Sequence, residues 1–304
     1  MKRLVIGIAA AAVVVLGVPV TAHAQTLGGN GPEYYLALGD SLAAGIQPNA
    51  QGVIEPTDQG YPNQLNVLLQ AFAPGLQLAN LGCSGETTGT FTAGGICDYQ
   101  GDQLIAQTGD AGSQLSAALA FLSAHPGQVP LITIDLGAAN LDPCLALGSL
   151  SAIEACVPGA LGTAAKEMPS ILQQIHAADP SAIIAGMNYY DGYLGDWLNG
   201  TTGQATAKVT ITLTQDLNAA ITPAFQNAGI PYADVYDAYN TGDMTDQVTL
   251  PAPIGTVPLD VAETCALTWE CAPPPQGPNK HPNAAGYLVM ATAILKVLNG
   301  YQGW

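Results

Sequence analysis

Positive charge is scarce in this chain of 304 residues: six Lys and Arg stand against 23 Asp and Glu. A formal charge of −17 repels phosphate backbones, which excludes nucleic acid as a partner. An anionic membrane surface is disfavoured for the same reason. Acidity itself says nothing about fold. Long apolar runs are also nearly absent. Beyond residues 4–20 none is long enough to span a bilayer, so the mature chain has no stable membrane span. There is no CxxC, and no histidine stands at ligand spacing beside a cysteine, so the cysteines do not read as a metal site. No internal repeat is evident. Gly and Pro are spread along the chain, which suits one compact domain with many turns.

What is present begins with an export signal. Lys2 and Arg3 form a basic start, residues 4–20 are almost wholly apolar, and Ala22-His23-Ala24 is a small-x-small cleavage site. The reading is a signal peptide over residues 1–24, cleaved after Ala24, and a secreted single domain over residues 25–304. Loss of Lys2 and Arg3 takes the formal charge from −17 to −19. Six cysteines remain, an even number in an exported chain, which argues for disulfides. Of the fifteen pairings open to six cysteines, the clustering suggests the sequential set: Cys83–Cys97, Cys144–Cys156 and Cys265–Cys271.

The apolar pattern alternates between two kinds. Short β-rich runs occur at residues 34–38, 76–80, 131–135, 182–187 and around 230–235. Helical spacing occurs at 64–72, 113–125, 164–177, 210–228 and 283–298. Strands alternating with helices predict a mostly parallel five-stranded sheet covered on both faces, an α/β/α sandwich. In such sheets reactive groups sit beyond the C-terminal ends of the strands. Residues 89–108, 141–158 and 242–277 break the alternation and hold or border the cysteine pairs. They read as loops stapled for lack of a core of their own.

The first strand ends in Gly39-Asp40-Ser41-Leu42. Ser41 there is either the N-cap of a following helix or a nucleophile. Further along stand Asn80-Leu81-Gly82-Cys83-Ser84-Gly85-Glu86-Thr87, Gly137-Ala138-Ala139-Asn140 and His281-Pro282-Asn283-Ala284-Ala285-Gly286-Tyr287. In order and spacing these blocks resemble those of the SGNH (GDSL) hydrolases, and they span nearly the whole mature chain. The three sequential cysteine pairs look like those of secreted bacterial members. The resemblance implies a flavodoxin-like fold, Ser41 as nucleophile and His281 as its base. It also implies the backbone N–H groups of Ser41 and Gly85 as oxyanion donors, the first of them at a helix N-terminus. His125 and His176 lie at predicted helix ends and are poorer candidates. Asp40 reads as structural, a short acid accepting loop N–H groups.

Two positions depart from the family pattern. Where the third block usually carries an oxyanion-hole asparagine, this chain has Ala139. Asn140, one residue later, is the candidate replacement if the loop is locally re-formed. The last block usually reads Asp-x-x-His, but Pro278 stands three residues before His281. A main-chain carbonyl at Pro278 is the expected acceptor for Nδ1, with Asn279 as second candidate. The tyrosines of residues 188–194, after the fourth strand, could line the cleft.

The expectation is a monomeric, secreted carboxylic ester hydrolase of the esterase or lipase type. Its substrate would be a small-molecule, lipid or glycan ester, and no cofactor or metal is implied. The alternatives are a catalytically impaired lipid- or glycan-binding protein, motivated by the two departures, and a polysaccharide deacetylase using the same machinery.

Overall fold

The computed structural model describes residues 32–106, 112–251 and 254–300. The signal peptide and its cleavage site lie outside the described residues. Five strands form one parallel sheet: β1 (Tyr34–Gly39), β2 (Gln77–Asn80), β3 (Leu131–Asp135), β4 (Ile183–Met187) and β5 (Tyr232–Ala233). Their order is β2-β1-β3-β4-β5, with β1 at the point where the order reverses. Every residue of β3 is buried, and β1 and β4 are buried after their first residue. Such continuous apolar strands require cover on both faces of the sheet.

The cover is helical. The main helices are α1 (Tyr61–Leu69), α2 (Thr88–Ala93), α3 (Gln114–Ala124), α4 (Leu150–Ala178), α5 (Gly200–Ala228), α6 (Leu259–Leu267) and α7 (Ala284–Gly300). α1 packs on α7, while α4 packs on α2, α3 and α5. The five expected strands are all present, and each expected helix lies inside or across an observed one. α4 starts well before the sequence suggested, because it carries Pro158 and Pro169 in its interior. Proline removes an intrahelical hydrogen bond and ordinarily reads as a helix end.

The three cysteine-bearing excursions are more ordered than loops. The first holds α2 and a hairpin, Asp98–Gln100 with Gln103–Ala106. The second holds a short helical turn, Asp142–Leu145, and the start of α4. The third pairs Gln247–Leu250 with Gly255–Pro258 and then forms α6. Val257, Val261 and Ala262 of this third excursion form a small second core with Leu194 and with Ala207 and Ile211 of α5. The disulfides Cys83–Cys97, Cys144–Cys156 and Cys265–Cys271 are all formed. Among the described residues no helix is long and apolar enough to cross a membrane. Nor does any cluster of three or more His, Cys, Asp or Glu side chains among them suit a metal ion.

Candidate active site

A cleft of about 200 Å³ opens at the C-terminal ends of β1, β3 and β4, and both Ser41 and His281 line it. This is where a doubly wound sheet places its ligands, at the reversal of strand order. Gly85, Ala139, Leu217 and Tyr193 also border it.

Ser41 does not start a helix. Residues 41–45 form a single turn, in which the Ala44 N–H bonds the Asp40 carbonyl and the Ile46 N–H bonds the Ser41 carbonyl. The expected contribution of a helix N-terminus is therefore missing, since the dipole needs several aligned turns. The turn is fixed from three sides instead. The Leu42 N–H donates to Asp40 Oδ1 at 3.0 Å. Asn80 Nδ2 donates to the Ala43 carbonyl at 2.7 Å. The Cys83 N–H donates to the Gly39 carbonyl at 3.0 Å. Asp40 thus has the structural role read from sequence, and its Oδ2 also accepts the Tyr189 hydroxyl at 2.8 Å.

The second block continues into a turn in which the Glu86 N–H bonds the Cys83 carbonyl. Gly85 adopts φ +82°, a conformation that a side chain strains. A Cβ there would meet no atom within 4 Å, because that side of Gly85 is open. The glycine is needed for its backbone angle, and its peptide is left bare at the cleft.

Asn140 does not serve the cleft. Residues Ala138–Leu141 form a 3-10 turn, so one residue of shift turns the side chain by roughly a third of a revolution. Asn140 Oδ1 accepts the Thr88 N–H at 3.0 Å and Nδ2 donates to Thr88 Oγ1 at 2.9 Å. It holds the start of α2, and the cleft wall carries Ala139 in its place. The candidate replacement donor is thereby removed.

The Nδ1 partner of His281 also differs from the first expectation. Asn279 Oδ1 lies 2.9 Å from Nδ1 and accepts the His281 backbone N–H at 2.9 Å as well. The side chain of Asn279 stands where the Pro278 carbonyl was expected. A backbone N–H can only donate, so the Asn279 atom facing His281 is the oxygen. Nδ1 then carries the imidazole proton, and Nε2 keeps its lone pair. Burial, helped by the neighbouring Lys280 charge, lowers the His281 pKa to about 4. The loop that carries it is tied down by the Trp269 N–H to the His281 carbonyl and by the Asn279 N–H to the Trp269 carbonyl. His125 and His176 stay at the ends of α3 and α4.

All three tyrosines after β4 line the cleft, and two of them are also fixed by hydrogen bonds. Tyr189 is held by Asp40 and by paired bonds with Asn218 of α5. Tyr190 donates to the Lys280 carbonyl at 2.7 Å and stacks on Tyr239 with centroids 4.3 Å apart. Tyr193, partly exposed, faces the cleft beneath Lys280, whose ammonium lies 5.4 Å from the ring centre and 2.9 Å from Asp142. Burial works against that ammonium, but Tyr193 and Asp142 outweigh it and raise its pKa. The contributions of Asp142, Thr214, Leu217 and Lys280 to the cleft were not read from sequence. They come from elements whose approach depends on tertiary packing.

Comparison with known families matches residues 37–289 to the GDSL-like lipase/acylhydrolase family. The chain belongs to this family. As a member it is a hydrolase of the esterase/lipase type. Solved structures share its fold. The extracellular lipase of Streptomyces rimosus superposes with a TM-score of 0.51 at 19% identity, over 88% of this chain and 99% of that one. The lipase Lip_vut3 from a goat rumen metagenome gives 0.53 at 14% identity, over 87% and 97%. A catalytic mutant of Axe2, an acetylxylan esterase of Geobacillus stearothermophilus, gives 0.51 at 16%, over 89% and 95%. No curated protein matches the chain. At these identities the likeness is one of fold, and the GDSL-like hydrolase's own residues must carry its chemistry.

Proposed function

We propose that this GDSL-like hydrolase is a secreted carboxylic ester hydrolase in which Ser41 attacks the ester carbonyl and His281 is its base. The observation that carries this reading is the state of His281. It lines the same cleft as Ser41, and its Nδ1 is engaged by Asn279, which leaves Nε2 for the serine. Burial supports this by lowering its pKa to about 4, so that the ring is neutral at ordinary pH. A neutral imidazole with a free Nε2 is what a serine hydroxyl needs to give up its proton. Ser41 Oγ bonds to the carbonyl carbon, its proton passes to Nε2, and the same proton leaves with the alcohol. Water then cleaves the acyl-enzyme by the reverse sequence. The N–H groups of Ser41 and Gly85 would hold the oxyanion. With Ala139 at the third position the hole has two backbone donors, and each missing donor typically costs about 10²–10³ in rate.

Pockets that enclose a whole drug-sized ligand run to about 300–1,000 Å³. A cleft of about 200 Å³ fits one portion of an ester, which favours short to medium acyl chains. Export would follow from the amino-terminal signal and suits the three disulfides. The test is hydrolysis of p-nitrophenyl esters of graded chain length by the mature protein beside Ser41→Ala. Turnover lost by at least about 10³-fold in the variant is the expected result. Equal turnover in both proteins would refute the assignment.

A further inference from the structure

Beneath the Ser41 turn lie two acids that no step of this reaction consumes. Asp135 ends β3 and Asp40 follows β1, and they are 0% and 2% exposed. The Asp40 N–H donates to the Asp135 carbonyl at 3.1 Å and to its Oδ2 at 3.2 Å. From α1 the Tyr61 hydroxyl donates to Asp135 Oδ1 at 2.7 Å. Two carboxyls this close in a site closed to water do not both ionise, so the pair keeps one proton. Asp40 accepts the Leu42 N–H and the Tyr189 hydroxyl, the donors that favour a carboxylate. Asp135 accepts two donors as well, but burial and the Asp40 charge raise it the more strongly of the two, so it is the group that holds the proton. Its pKa is raised well above the carboxylate range, first by burial and then by the charge of Asp40. The fit is close: a Cβ on Gly39 would collide with the Asp135 carbonyl and carboxyl.

We infer that Asp135 is a positioning residue for the nucleophile. Held by Tyr61, it accepts the Asp40 backbone N–H through its carbonyl and Oδ2, and so fixes the residue whose Oδ1 takes the Leu42 N–H. It thereby sets the turn that presents Ser41. This role rests on the reading of Ser41 as nucleophile. The groups that face the pair are Tyr61 of α1, Tyr35 of β1 through Thr133, Tyr189 of the loop after β4, Tyr287 of α7, Glu86 and the Lys280 ammonium, all of them unchanged in the variants at 135. Gln114 of α3 links Gly39 to Glu86 above them.

The test compares Asp135→Asn, Asp135→Leu and Tyr61→Phe with the native enzyme. The readouts are kcat, KM and the pH profile on p-nitrophenyl butyrate, and the rate at which a fluorophosphonate labels Ser41. An amide at 135 keeps an oxygen for Tyr61 and an N–H for a neighbouring carboxylate, and the Asp40 N–H keeps the main-chain carbonyl of residue 135, so Asp135→Asn should keep kcat within about threefold. Asp135→Leu offers neither side-chain group. It should lose roughly 100-fold in kcat, as a slightly misplaced reacting group does, with KM little changed. Tyr61→Phe should lose severalfold, about one hydrogen bond's worth. The native kcat should fall on the alkaline side as the shared proton leaves, and Asp135→Asn should lack that limb because an amide does not titrate. Tyr35, Tyr61, Tyr189 and Tyr287 are common to both proteins, so they cancel. Asp135→Leu with native kcat, or Asp135→Asn as damaged as Asp135→Leu, would overturn the inference. If Asp135→Leu does not fold, Tyr61→Phe with native kcat together with an unchanged alkaline limb in Asp135→Asn would overturn it. Native protein whose Ser41 is not labelled would overturn the nucleophile itself, and the positioning role with it.

Discussion

The two walls of the cleft are built on different principles. The serine wall is local and rigid. Its turn follows β1 directly, polar groups from β2, β3, α3 and the loop after β4 bond its backbone or its acid, and Tyr61 of α1 backs Asp135. The histidine wall is a long irregular approach between α6 and α7, held by three backbone hydrogen bonds to Trp269 and His281 or their neighbours and by Cys265–Cys271. The acids are distributed the opposite way from what a catalytic triad suggests. Two carboxyls support the nucleophile's backbone, while the imidazole has only a neutral amide at Nδ1. Asn279 can fix the tautomer but cannot stabilise the imidazolium by charge. The contrast teaches that geometry and basicity have been separated in this site, and variants on the histidine wall test that most directly.

The largest effect should come from breaking the side-chain contact at His281 Nδ1. Asn279→Leu removes the acceptor at Nδ1, so the ring can take the tautomer whose Nε2 carries the proton and cannot act as base. Loss of tautomer control has cost about 10⁴ in kcat where a charged partner was involved. With a neutral amide we expect a fall of about 10²–10³, with KM little changed. A fall below threefold would mean that another group orients the ring. A smaller change, in the opposite direction, is expected at the third oxyanion position. Ala139→Asn should raise kcat about tenfold, less than the 10²–10³ of a native donor, because Asn140 already fixes that turn on Thr88. An unchanged kcat would mean that the side chain at 139 does not reach the oxyanion.

These expectations rest on features that differ in how far they could be read from the chain. The sheet was legible because β1, β3 and β4 are short, mostly apolar runs bounded by turns, a pattern set by burial on both faces. Ser41, Gly85 and His281 were legible through their motif blocks. The start of α4 was hidden by Pro158, and the order of the cysteine-bearing excursions by their mixed composition. Asn140 misled because adjacency in sequence is not adjacency in space on a 3-10 turn. Asn279 was only a second choice, since whether a side chain or a carbonyl reaches Nδ1 depends on loop geometry. Asp135 left a trace that was passed over: a carboxylate closing the apolar run Leu131–Asp135 needs a buried partner. Nothing in the sequence pointed to Asp40 as that partner, because register between β1 and β3 sets the pairing.

The smallest effect, and the sharpest probe of the contrast, is a shift along the pH axis. His281 must be neutral to accept the serine proton, so kcat/KM should hold from about pH 5 up to the alkaline limb set by Asp135. It should fall on the acid side, as His281 takes up a proton around its pKa of about 4. The sign follows from the depressed value: the active form is the one favoured above it, and acid removes it. Asn279→Asp places a carboxylate at Nδ1, which favours the imidazolium and raises such a pKa by one to three units. The acid limb should move up by about that amount, while kcat on the plateau changes by less than about threefold, since the tautomer is unaltered. A limb that stays put in Asn279→Asp would assign the acid titration to a carboxyl elsewhere, and Asn279 would be left with orientation alone. A limb that moves ties the pH dependence to His281, and shows that the amide leaves the imidazole less basic than a carboxylate would.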